Sequence, residues 1–214
     1  MAPAVEAVSV GTAASGLGAP GGVKAQRSLL RGFGLVLEEL SDDVVEGAYW
    51  AEKFDELSER SSESFNTLHK YSCDVSNTPF PFFDVLEALR LPLQQDFGLA
   101  PEGLRLHAAF FIHYGPGWNT ALRRHVDSSL LTVNICLRTA ALVGCGVRFF
   151  GARRLLDAGG DASSNGAGAR DLECSALVDV PCGWALLHWG DHEHETAPWE
   201  DGERWSVILW FKER

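Results

Sequence analysis

Residues 130–137 alternate through most of their length. Leu131, Val133, Ile135 and Leu137 are apolar, with Thr132 and Asn134 between them. A period of two marks a strand with one face in a core and the other toward something polar. This run has company. Residues 104–114 are dense in apolar and aromatic side chains, and 147–150 is short and strand-like. Segments 171–180, 184–189 and 205–211 follow, each bounded by Gly, Pro or charged turns.

The N-terminal half has a different rhythm. Gly32 to Leu37 reads as a short strand, and Ser41-Asp42-Asp43 as a helix N-cap with acidic residues in the first turn. Over 44–71, Trp50, Phe54, Leu57, Phe65 and Leu68 recur at helical spacing until Asn77-Thr78-Pro79 breaks the pattern. A second helical stretch sets Phe83, Leu86, Leu89 and Leu91 on or near one face, and Pro92 is expected to end or kink it. Helices first and many short strands afterwards predict a mainly-β (α+β) domain, a closed or sandwiched barrel with helices packed on one side. The Gly/Ala/Ser/Asn/Asp stretch over 157–169 reads as a flexible surface loop.

A chain of 214 residues suits one domain with a sizeable core and is short for two. The expected division is a flexible tail over 1–28 and a single domain over 29–214, with its functional core at about 104–211. A net charge of −11 gives no electrostatic support to nucleic-acid binding or to an anionic membrane surface. No apolar run approaches the length of a membrane span. The first 26 residues lack the basic start and apolar stretch of a secretory signal. They read as a disordered tail, with an organelle transit peptide as the alternative because Lys24, Arg27 and Arg31 accompany only Glu6. Five cysteines without a CxxC form neither a zinc-finger pattern nor a disulfide framework, and a reducing, cytoplasmic setting is the simplest expectation.

The chemistry centres on His125-Val126-Asp127. One intervening residue in extended chain puts both side chains on the same face, about 7 Å apart at Cα, close enough to grasp one cation. A third ligand must come from elsewhere, and His188, His192 and His194 are the candidates. Two imidazoles and one carboxylate form the ligand set of a non-haem iron(II) site, which leaves about three positions for small ligands. A bare His-x-Asp is common by chance, so the downstream context matters. Arg204 opens an otherwise apolar strand, and a guanidinium there is costly to bury without an anion. Its fork matches a carboxylate in two parallel hydrogen bonds. Ser206 lies on the same face and adds a hydroxyl. Tyr114, which shares a face with Phe110 and Ile112, and Thr132, on the polar face of its strand, are candidates to complete a carboxylate pocket. Alternatively, Arg204 pairs with an internal Glu or Asp.

These residues resemble the catalytic domain of the prolyl 4-hydroxylase and procollagen-lysyl hydroxylase branch of the 2-oxoglutarate/iron dioxygenases. The similar pieces are Tyr-Gly-Pro-Gly at 114–117, the run from His125 to Asn134, Gly-Cys-Gly-Val-Arg-Phe at 144–149, Gly-Trp-Ala-Leu-Leu-His-Trp-Gly at 183–190, and 192–206. About half the chain is covered. The resemblance implies a double-stranded β-helix, or jelly-roll, supported by N-terminal helices. It implies His125, Asp127 and His194 as iron ligands, His194 being preferred over His192 by its separation from Arg204. It implies Arg204 as the partner of the distal 2-oxoglutarate carboxylate, assisted by Ser206, Tyr114 and Thr132, and leaves His188 outside the ligand set. The implied cofactors are Fe(II), 2-oxoglutarate as co-substrate and O2, with L-ascorbate as an accessory. The implied reaction is hydroxylation of a peptidyl (prolyl or lysyl) or small-molecule substrate.

The sequence departs from the family at Phe149-Phe150-Gly151-Ala152, where relatives carry two glycines, and in the loop after Asp157. Asp127 argues against the related halogenases, which replace that carboxylate. Two other classes share these features: a cupin-like metalloenzyme with isomerase or lyase chemistry, and a catalytically silent β-barrel binding module. Nothing in the sequence indicates an oligomeric state.

Overall fold

In a computed structural model, residues 8–10, 30–41, 44, 72–76, 82–153, 155 and 174–214 are described. The alternating run becomes the start of β6 (Leu131–Gly144), and its neighbours explain the alternation. β6 lies between β9 (Trp184–Trp189) and β11 (Trp199–Glu213), antiparallel to both. Strands β2 (Val36–Glu39), β3 (Ser72–Asp74) and β4 (Leu104–Tyr114) complete a six-stranded sheet in the order β2-β9-β6-β11-β4-β3. A second sheet holds β1 (Val8–Val10), β8 (Ser175–Val178), β7 (Val147–Phe150), β10 (His194–Thr196) and β5 (Leu122–His125), in that order. Two largely antiparallel sheets face to face are the expected jelly-roll.

The outer face of the larger sheet carries the main core. Leu131, Val133, Ile135 and Leu137 pack there with Val207, Leu209 and Phe211. A helical layer covers them: α1 (Phe82–Ala88), a turn at Arg90–Pro92, and a wide turn at Leu93–Phe97. Val85, Leu86, Leu89, Leu93 and Phe97 are its buried stripe. Each such side chain contributes roughly 1.5–3 kcal/mol by leaving water. The inner face, with Thr132, Asn134 and Cys136, turns toward the second sheet, where Cys136 and Leu186 meet Val147, Phe149, Ala176 and Val178.

Several boundaries differ from expectation. Residues 30–34 form a turn, closed by Leu35 N–H on the Leu30 carbonyl at 3.0 Å, so the first core strand begins at Val36 rather than Gly32. Gly34 has φ +78 and lies where a Cβ would be 2.3 Å from the Arg153 carbonyl oxygen, so this close approach needs glycine. Pro92 does not end the helical layer, but the kink expected with it is there: the helix stops at Ala88, four residues before the proline. The path restarts at Arg90, and in a first turn the missing N–H has no helical acceptor to lose. Leu89, at φ −95 and ψ 7, breaks the phase. Leu91 is therefore 62% exposed, and Phe83, beside the buried stripe, is 51% exposed. Strand 205–211 extends to Trp199–Glu213; of 171–180, residues 171–173 lie outside the described residues and the strand ends at Val178 rather than Val180. Val8–Val10, inside the expected tail, pairs in parallel with Ala176–Val178, where β-branched valines suit a strand. The expected helix over 44–71, apart from Val44, and the loop over 157–169 lie outside the described residues. No helix among the described residues is long and apolar enough to cross a membrane.

Candidate metal centre

His125 closes β5 and His194 opens β10, and the two residues are register partners. That pairing brings together imidazoles 69 residues apart in sequence, with ring centroids 4.3 Å from each other. Asp127 follows in the loop after β5. Its Oδ1 is 3.5 Å from His125 Nε2, and its Oδ2 is 3.8 Å from His194 Nε2. One ligand atom from each of the three lies within 4.8 Å of the others. Backbone carbonyls set both ring orientations: His125 Nδ1–H donates to the Arg123 oxygen and His194 Nδ1–H to the His192 oxygen, each at 2.8 Å. With Nδ1 committed, Nε2 of each ring carries the lone pair toward the cluster, as a metal ligand requires.

The carboxylate is fixed as firmly. Thr132 Oγ1 donates to Asp127 Oδ2 at 2.6 Å, and Ser129 Oγ lies 2.8 Å from Thr132 Oγ1. Asp127 N–H donates to the Gly190 carbonyl at 2.8 Å. A Cβ on Gly190 would sit 2.1 Å from the Ser129 oxygen, so backbone meets backbone where the loop is clamped. Burial alone would raise the Asp127 pKa, but the His125 bond, His194, His188 and the Thr132 bond outweigh it and hold the carboxyl below the usual range. Burial works to lower His125, but its bond to Asp127 and the Arg123 carbonyl win and raise it. His194 goes down, because burial exceeds the pull of Asp127.

The other two histidines separate cleanly. His192 turns away, with Nε2 3.1 Å from the Gly151 carbonyl oxygen, and burial lowers it to about 4. His188 sits opposite Thr132 on β9, with Nδ1–H on the Trp189 carbonyl at 2.9 Å and Nε2 3.9 Å from Asp127 Oδ2. It is 2% exposed, and burial lowers it to about 3, so it stands as a neutral ring behind the carboxylate. Sequence reasoning set His188 aside; its inward position on an apolar strand was the available signal. Phe149 packs against His188, His192 and His194, with centroids at 5.0, 4.9 and 5.4 Å. Phe150, Gly151 and Ala152 line a cavity of about 140 Å³ together with Val126, which stands between two of the candidate ligands and is 53% exposed.

Arg204 is only 2% exposed and is the largest fully buried side chain among the described residues. Its guanidinium lies 4.6 Å over the Tyr114 ring, and Nη1 donates to the Cys145 carbonyl. Nε has no hydrogen-bond partner, and no carboxylate lies within ion-pair distance of Arg204 among the described residues. The internal carboxylate that feels it is Asp179, whose pKa burial raises and Arg204 pulls back, but the two form no ion pair. Tyr114 is the register partner of Arg204, and its phenol lies 3.2 Å from Thr196 Oγ1. Thr196, which sequence reasoning missed, is two residues from His194 on β10, about 7 Å along the strand. Ser206 is fully buried on the same face as Arg204, and its hydroxyl has no partner. Thr132 does not share this corner. Its register partner on β11 is Trp210, six residues from Arg204, and its hydroxyl serves Asp127 instead of a carboxylate pocket.

Two imidazoles and a carboxylate, prealigned in one cluster, fit iron(II) by donor type. The orphaned Nε and the partnerless hydroxyl of Ser206 fit a bidentate anion beside that cluster.

No family model matches the chain. It is 32% identical over 106 residues to human 2-oxoglutarate and iron-dependent oxygenase domain-containing protein 2, a match covering 50% of this chain and 26% of that relative. It is 30% identical over 102 residues to the human multifunctional procollagen lysine hydroxylase and glycosyltransferase LH3, covering 46% of this chain and 11% of that one. The chain thus spans about a quarter or less of the length of these two relatives. Among solved structures, a Pseudomonas putida prolyl-4-hydroxylase superposes with a TM-score of 0.55 at 22% identity, over 87% of this chain and 96% of that one. The fold is that of the 2-oxoglutarate/iron oxygenases.

Proposed function

We propose that the chain is a 2-oxoglutarate- and O2-dependent Fe(II) dioxygenase that hydroxylates a C–H bond of a peptidyl or small-molecule substrate, releasing succinate and CO2. One observation carries this reading. A buried guanidinium without a salt bridge among the described residues lies against Tyr114, whose phenol reaches Thr196, two residues from His194 of a His–Asp–His cluster. A cupin-like isomerase or a silent binding module gives Arg204 no task.

In this reading His125, Asp127 and His194 hold the iron. Arg204 grips the distal carboxylate of 2-oxoglutarate, with Tyr114 flat against the guanidinium and the Ser206 hydroxyl alongside. Iron, when bound, supplies oxygen activation coupled to oxidative decarboxylation of the co-substrate. Thr132 and Ser129 keep Asp127 in one rotamer, and neutral His188 leaves no competing positive charge behind it. Phe149 and the apolar inner wall keep water from the reacting centre. The names of the lysyl and prolyl hydroxylase relatives support a prolyl or lysyl side chain as the target.

The test is conversion of 2-oxoglutarate to succinate with added iron(II) and ascorbate, alongside a search of peptide and metabolite pools for products heavier by one oxygen. Asp127→Ala and His194→Ala should bind no iron. Wild-type turnover by Asp127→Ala would refute the assignment.

A further inference from the structure

The cavity beside the metal centre lies beyond His194, away from the Arg204 corner. Register sets the direction. Thr196 meets Leu122 and Val147, and His194 meets His125 and Phe149. Continuing the same way leads from Thr196, the neighbour of Tyr114, past the candidate iron ligands to Val126, Phe150 and Gly151. A diacid held between the metal and Arg204 does not enter this space. Its volume of about 140 Å³ is ample for one small organic group. Three charged residues border it: Arg153, Asp191 and Glu193.

Backbone contacts, not charge, put Arg153 there. Its N–H donates to the Phe33 carbonyl at 3.0 Å, and a Cβ on Gly34 would sit 2.6 Å from its own Cβ. Arg31 ties the same turn to Asp96 of the helical layer at 3.0 Å. The Arg153 side chain is 17% exposed. Nη2 donates to the Asp191 carbonyl at 2.8 Å and lies 3.2 Å from the Asp191 carboxylate, and the buried Nε has no partner among the described residues. The two acids stand differently. Asp191 is 74% exposed, so water screens it, and Glu193 is paired with Arg124, itself 3.9 Å over the Phe150 ring. A guanidinium largely stripped of water, with a donor unspent, outweighs a carboxylate in solvent and asks for an anion. Its planar fork matches a carboxylate.

We propose that Arg153 is a substrate-binding residue, and that the cavity takes a carboxylate of the substrate on the side of the metal opposite Arg204. The inference rests on the dioxygenase reading and narrows its substrate class to molecules with a carboxylate near the oxidised carbon. Within that reading it disfavours a lysyl target, whose ammonium would meet a buried guanidinium.

The experiment uses the full chain labelled with 15N, loaded with zinc and excess 2-oxoglutarate, and in parallel metal-free. The excess keeps a second acid out of the Arg204 corner. The Arg153 Nε–H resonance is identified by its loss in Arg153→Lys. Sodium propionate is titrated as the probe and propylammonium chloride as the contrast. Propionate should shift the Nε–H signal saturably, and propylammonium should not. Arg153→Met, followed on the Gly151 and Ala152 amides, should bind propionate at least about tenfold more weakly, the worth of one charge-assisted hydrogen bond. A propionate titration that leaves Nε–H unmoved, propylammonium that moves it equally, or undiminished binding by Arg153→Met overturns the proposal. The wild-type titration decides even if a variant fails to fold. Zinc and 2-oxoglutarate binding with indifference to propionate sinks this inference alone; propionate binding at Arg153 without affinity for metal or 2-oxoglutarate sinks the dioxygenase reading alone.

Discussion

Replacing Arg204 by Met separates a binding cation from a structural one, because the two roles predict opposite results. The guanidinium is 2% exposed, donates to the Cys145 carbonyl, and leaves Nε without a partner among the described residues. Losing that bond costs about 1 kcal/mol, and removing an uncompensated buried charge offsets it. The melting temperature of the metal-free protein should therefore stay within about 4 °C of wild type. Binding should behave differently. Two charge-assisted hydrogen bonds to a carboxylate are worth roughly 3 kcal/mol or more, so the dissociation constant for 2-oxoglutarate should rise at least about a hundredfold. At 2-oxoglutarate about 100 times the wild-type Kd, ligand stabilises wild type by about 2.7 kcal/mol. For a domain of this size that is about 5–11 °C. The same concentration only equals the variant's Kd and adds about 0.4 kcal/mol, or about 1 °C. Thermal melts of manganese-loaded protein with and without 2-oxoglutarate measure both quantities. A variant that melts more than about 10 °C early without ligand, yet responds to 2-oxoglutarate as wild type does, refutes the reasoning.

Thr132→Val removes the hydroxyl 2.6 Å from Asp127 and should weaken metal affinity roughly 10–100-fold by calorimetry, with Thr132→Ser restoring it. Gly190→Ala forces a Cβ to 2.1 Å from the Ser129 oxygen and should cost about 1–3 kcal/mol in denaturant unfolding, with metal binding lost alongside because the same contact seats Asp127. The His125 pKa is raised in the metal-free fold, so its proton stabilises that fold at low pH, and this stability is lost as pH rises through the raised value. Metal competes with that proton, so the metal-induced gain in melting temperature should grow from about pH 6 to about pH 8. A gain that shrinks over that range would show that another group controls uptake.

Much of the site was legible because its residues carry costs that sequence alone exposes. A charged Arg204 in an apolar strand and a His-x-Asp ahead of an alternating strand both announce chemistry, since neither stabilises a core by itself. The alternation of Leu131 to Leu137 likewise predicted which face of β6 lies in a core, because burial follows side-chain parity; that the helices cover that face came from the structure. Errors arose where local pattern was ambiguous. Gly32 to Leu37 looks extended in isolation but begins with a hydrogen-bonded turn. Phe83 and Leu91 fit an apolar face only if the helix is unbroken, and a single distorted residue at Leu89 removes that condition.

Residue type and spacing alone predicted packed strands and offered His125, Asp127, three candidate histidines and a guanidinium, with the family resemblance singling out His194. Only the tertiary structure decided which atoms meet. Register between β5 and β10 faces His125 with His194 and turns His192 aside, and register across β6 gives Thr132 to Asp127 instead of to the anion corner. The physical reason is that strand pairing joins segments tens of residues apart, and a shift of one residue reverses every side chain, which no local pattern records.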